Sequence, residues 1–170
     1  MTLTGLVGKW INSLSALDLL CLGGVVAATH GAAYLGMWPY SIFTMPGTLA
    51  HELAHYLTAA VLGADPSFPN LIPMRIAGGW RLGSVTCYPN LITAIPIALA
   101  PFLLAPAGLW WAAKFLPKHS GGWYLLHAWI AGTMMMASLP SSQDWRIAAP
   151  SIAIAALVYL VWRVLTRRWG

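Results

Sequence analysis

Acidic residues are almost absent from this chain: Asp18, Glu52, Asp65 and Asp144 are the only four in 170 residues, and Glu52 is the only glutamate. Charge of either sign is scarce. Charged residues make up 8% of the chain, against the roughly 25% with which a globular protein covers its surface. Nine Lys and Arg with four carboxylates cannot coat a soluble domain of this length, which excludes the common soluble classes. Cysteine is scarce as well. Cys21 and Cys87 stand in unrelated contexts and make neither a disulfide framework nor a CxxC metal knuckle, so both read as small apolar fillers. The net charge of +5 comes from scattered cations beside apolar runs. Interface anchoring explains them better than a phosphate-tracking patch, and no nucleic-acid partner is expected.

Apolar residues fill the space that charge leaves. Hydrophobic residues make up 59% of the chain, with 16 Gly, 12 Pro and 10 Trp, and the mean hydropathy is +0.69. The expected class is a multi-pass integral membrane protein, all-α, forming a single domain over residues 1–170 within the lipid bilayer. Five apolar segments, at about 14–38, 42–64, 91–115, 122–139 and 148–165, approach the roughly 20 residues that cross a hydrocarbon core about 30 Å thick. Tryptophans fall near the segment ends as an aromatic belt requires, with Trp129 the exception inside the fourth segment. The first segment reads as a retained helix rather than a cleaved signal, because Asp18 interrupts its start and apolar character continues to Trp38. Lys and Arg divide almost evenly between the two sides of a five-span arrangement, so the positive-inside rule sets no orientation.

The one long connection, residues 65–90, carries two short apolar runs at 71–77 and 80–87 around Gly78 and Gly79. Their pattern predicts a β-hairpin between the second and third helices, with Pro73 confining the first strand to an edge. Such a hairpin is either a plain connection or an edge that receives an extended peptide near Ile72 to Ile76.

The second segment contains His51-Glu52-Leu53-Ala54-His55, an H-E-x-x-H pattern. On a helix, positions i and i+4 share a face, so both imidazoles reach one metal ion. Neutral imidazole suits Zn²⁺, and a glutamate beside the first ligand is placed to act as general base on a metal-bound water. With so few His and Glu, chance produces this pattern in roughly one such chain in a thousand. A carboxylate in a spanning helix costs about 2.5–3.5 kcal/mol on insertion scales, so Glu52 needs either a function or a satisfied polar cluster around it. A catalytic zinc site has three protein ligands and an open position. The remaining candidates are Asp18, Asp65, Asp144, His30, His119 and His127. Asp144 is favoured, because Pro140, Ser141 and Ser142 should break the end of the fourth helix and allow a carboxylate to turn inward.

These residues resemble the site-2 proteases, the intramembrane zinc metalloproteases. Their signature pairs H-E-x-x-H in one transmembrane helix with an aspartate ligand in a later one, after a proline-containing break. The matching positions are His51, Glu52 and His55 in the second segment, then Pro140 and Asp144 after the fourth. The family's three-helix core would cover about residues 42–146, with a β-hairpin where residues 71–87 lie. The chain departs from the family's Asn-x-x-Pro-x-x-x-Leu-Asp-Gly pattern: Ala137 stands for the asparagine, Gln143 for the leucine and Trp145 for the glycine, and the Pro-to-Asp spacing is one residue shorter. The family's frequent PDZ domain is missing from this sequence.

The resemblance implies Zn²⁺ held by His51, His55 and Asp144, with Glu52 as base and a membrane-protein substrate. It further implies a bacterial or archaeal cell membrane, with the active site opening toward the cytosol. Oligomeric state is not set by the sequence. Two other classes compete: a non-proteolytic metal-binding membrane protein, and a pseudo-protease that binds membrane partners. Glu52 argues against both, since metal binding alone needs no base between the ligands.

Overall fold

The computed structural model describes residues 3–76 and 79–167. Its helices follow the apolar segments, and capping chemistry sets some of their ends. After a short N-terminal helix, α1 (Leu3–Asn12), Ser15 caps α2 (Ala16–Tyr34) in a reciprocal capping box with Asp18. Helix α3 (Met37–Val61) follows with two residues between. It ends in a Schellman pattern: Gly63, at φ 67°, lets its own N–H reach the Ala60 carbonyl and the Ala64 N–H reach that of Ala59.

The third apolar segment is broken by its prolines. It runs as α4 (Ala94–Leu99), a 3₁₀ turn over Ala100–Leu103 containing Pro101, and α5 (Leu104–Phe115). Helix α6 (Gly121–Met136) stops before Pro140, and α7 (Ser142–Arg167) starts two residues after it.

Three of these helical segments are long and apolar enough to cross a membrane: Ala16–Tyr34, the composite Ala94–Lys118, and Ser142–Arg167. The expectation of five spans is therefore not met among the described residues. Helix α6 has 16 residues and rises about 24 Å, short of a 30 Å hydrocarbon core. Helix α3 is 25 residues long, but Pro46, His51, Glu52 and His55 interrupt its apolar character. Both pack against the other helices, α3 on α2 and α6, and α6 on α2 and α5.

The core uses small residues at the crossings. Ala112, Ala128 and Ala131 are fully buried with Leu22 and Leu116 between α2, α5 and α6, which allows the close backbone approach typical of membrane helices. Gly47 on α3 lies directly against the Thr133 backbone of α6 and has no room for a Cβ. Trp129, deep in α6, donates its indole N–H to the Phe43 carbonyl at 2.6 Å, in the turn of α3 that Pro46 loosens. Beyond Ser151, α7 leaves the bundle and presents exposed Leu157, Val158, Leu160 and Val161, as a lipid-facing helix does.

The hairpin is shorter than its sequence pattern. Strands β1 (Met74–Ile76) and β2 (Gly79–Arg81) pair antiparallel, Met74 opposite Arg81 and Ile76 opposite Gly79. The expected turn residue Gly78 lies outside the described residues, as does Ala77. Further out the two arms still meet, through mutual N–H···O bonds of 2.9 Å between Asn70 and Ser84 and a 2.8 Å bond from Ser67 to Thr86. Pro69 and Pro73 lack the N–H donors that a continuous ladder would use.

Candidate metal centre

Helix α3 places Tyr40, Thr44, Thr48, His51, Glu52 and His55 along a cavity of about 450 Å³. The cavity is also lined by Ile97 and Ala98 of α4, the α6–α7 junction, Ile76 of β1 and residues of the arm from Trp80 to Cys87. Glu52, His55 and Asp144 are each only 7% exposed. Carboxylates so nearly withdrawn from water require partners.

Asp144 comes from the first turn of α7 rather than from an unwound stretch. Ser141 donates its N–H to Asp144 Oδ2 at 2.6 Å, and Asp144 returns its own N–H to Ser141 Oγ at 3.2 Å. This capping box, Ser141-x-x-Asp144, starts the helix immediately after Pro140 and fixes the carboxylate toward α3. His55 Nε2 lies 3.2 Å from Asp144 Oδ1, and His51 Nε2 lies 3.6 Å from Oδ2. The two Nε2 atoms are 3.1 Å apart.

The other nitrogen of each ring decides what those Nε2 atoms are. His51 Nδ1 is 2.7 Å from the Ala137 carbonyl, and His55 Nδ1 is 2.8 Å from the Ile97 carbonyl. A carbonyl only accepts, so both Nδ1 atoms carry the proton, and in the neutral rings both Nε2 atoms present lone pairs. Two imidazole lone pairs and a carboxylate then converge with no donor between them. The edge of a tetrahedron with zinc–ligand bonds near 2.0–2.1 Å is about 3.3–3.4 Å. The observed separations straddle that value, and ligand atoms of all three residues lie within 4.8 Å of one another. The donor set fits a divalent cation bound by two histidines and one carboxylate.

Glu52 lies one residue from His51 on the wall of the same cavity. Among the described residues no donor is hydrogen-bonded to its carboxylate. The chain after β2 passes directly over it: a Cβ at Gly83 would stand 2.6 Å from Glu52 Oε1 and 2.7 Å from its Cγ. Arg81, two residues earlier, is the only Lys or Arg among the residues lining the cavity.

The other candidate ligands lie elsewhere. Asp18 accepts from the Ser15 N–H and hydroxyl and from the Tyr124 hydroxyl, at 2.7–2.8 Å, and so joins α2 to α6. Asp65 and His30 are exposed. His119 and His127 stand together, ring centroids 4.6 Å apart, where Trp111 Nε1 donates to His127 Nδ1 at 3.2 Å. Cys21 and Cys87 are free thiols. Cys87 packs beside Ala59, Ala64 and Ile97, and burial pushes its thiol pKa up, away from reactivity.

No protein-family model, no curated protein and no solved structure matches this chain.

Proposed function

We propose that this chain is an intramembrane zinc metallopeptidase, similar to the site-2 proteases, that hydrolyses a peptide bond in or near a transmembrane segment of a membrane-protein substrate. One observation carries the reading: ligand atoms of His51, His55 and Asp144 converge beside an almost fully buried Glu52 that, among the described residues, has no hydrogen-bond donor on its carboxylate. His51, His55 and Asp144 would hold the ion, which would supply a water of pKa lowered toward about 7 and polarisation of the scissile carbonyl. Glu52 takes the proton from the attacking water and delivers it to the leaving nitrogen, so the carboxylate ends the cycle as it began. His51 and His55, each with its Nδ1–H engaged by a backbone carbonyl, would turn Nε2 toward the ion.

A membrane-buried setting adds a requirement. A helical substrate holds its carbonyls in intrahelical hydrogen bonds and must be drawn out before attack. Ile76, Trp80 and Arg81 of the hairpin line the same cavity as Glu52. In this reading the open edge of the hairpin holds the substrate extended through backbone bonds while its carbonyl faces the site.

The test is Glu52→Gln, which keeps size and removes the base. The variant should retain zinc at the wild-type stoichiometry and lose cleavage of a co-expressed transmembrane substrate. Cleavage at the wild-type rate would contradict the catalytic assignment.

A further inference from the structure

Each histidine is oriented by a carbonyl that a proline leaves available. The Ile97 carbonyl, one turn before Pro101, would accept the N–H of residue 101 in a continuous α-helix. Proline has no such N–H. The carbonyl keeps a 3₁₀ bond from the Ala100 N–H, and its second lone pair receives His55 Nδ1 at 2.8 Å. The Ala137 carbonyl, at the C-cap of α6, is left open in a different way. Its i+3 residue is Pro140, without a donor, and its i+4 donor, the Ser141 N–H, is turned to Asp144 Oδ2. His51 Nδ1 takes the vacant acceptor at 2.7 Å.

We propose that Pro101 and Pro140 are positioning residues of the metal centre: by withholding an N–H, each reserves one helix carbonyl for the Nδ1 of a ligand histidine and so fixes its Nε2 lone pair toward the ion. This rests on the metal-site reading above and extends it to residues that touch neither metal nor substrate. Outer partners of this kind set the tautomer and ring orientation of metal-bound histidines, and their loss lowers metal affinity by about 10–100-fold. Helix-breaking prolines in spanning segments are tolerated where a neighbouring helix satisfies the freed carbonyl, and here the neighbour is the ligand itself.

The experiment measures zinc affinity by chelator competition on the purified full chain in detergent, for wild type, Pro101→Ala, Pro140→Ala and Pro106→Ala. Alanine restores the N–H and favours helix, so these variants retain the means to fold, and thermal unfolding is followed alongside. Pro106 lies in the first turn of α5 and serves as the control, because the carbonyl four residues before it belongs to Phe102, which no site histidine contacts. The expected result is a loss of about 10–100-fold in affinity for Pro101→Ala and Pro140→Ala, with Pro106→Ala unchanged. Wild-type affinity in Pro101→Ala and Pro140→Ala overturns the proposal. So does an equal loss in Pro106→Ala, which would mark a general packing effect. A wild-type chain that binds no zinc overturns the metal-site reading instead, which separates the two failures.

Discussion

Gly83 and Glu52 are in such close contact that an added Cβ at Gly83 would stand 2.6 Å from the Glu52 carboxylate oxygen. A real Cβ cannot sit there, so either the strand segment lifts or the carboxylate turns. The hairpin arm is thus fitted to the proposed base, and hydrogen at position 83 is a requirement of that fit.

Gly83→Ala should therefore impair cleavage strongly while zinc stays bound, because His51, His55 and Asp144 are not touched by residue 83. Parallel measurement of zinc content and substrate cleavage checks this. Full activity in Gly83→Ala would mean that the arm does not approach Glu52 during turnover.

Gly47→Ala tests the crossing that supports the site from behind. The new methyl group meets the Thr133 backbone of α6, and backbone cannot swing aside as a side chain does. Overpacking of this kind costs about 1–3 kcal/mol. Since α6 also supplies the Ala137 carbonyl to His51, the variant should unfold at lower temperature and bind zinc more weakly. Thermal unfolding with and without added zinc reads both effects.

Asp18→Ala addresses the opposite prediction, for a buried carboxylate assigned to structure. It removes the acceptor of the Ser15 capping box and the partner of the Tyr124 hydroxyl. Leaving buried donors without their acceptor costs about 1–3 kcal/mol. Stability should fall while zinc stoichiometry stays as in the wild type, and a loss of zinc would point to a role at the metal.

The grouping of His51 and His55 was legible in the sequence because helix geometry makes H-E-x-x-H a statement about one face. Asp144 was legible through Pro140, which ends α6, but the helical start was missed. Ser141-x-x-Asp144 is a readable capping box, and it places Asp144 inside α7 rather than on an unwound connection. The carbonyls of Ile97 and Ala137 belong to apolar residues, so residue type gave no signal; only their spacing to Pro101 and Pro140 did. Gly83 could not have been found, since its contact with Glu52 depends on how a loop folds back over a helix 31 residues earlier. Span count was misread for a physical reason as well. Apolar run length counts residues that are buried among other helices, and α6 is too short to cross although its composition suits lipid.

The central claim, that His51, His55 and Asp144 hold one zinc ion, is tested most directly by the metal content of the purified chain beside that of Asp144→Asn. The account predicts close to one zinc per wild-type chain. In the Asp144→Asn variant it predicts an affinity loss at least as large as the roughly 10–100-fold caused by removing an outer partner. Metal-free wild-type protein, or an Asp144→Asn variant that keeps its zinc with undiminished affinity, would contradict it.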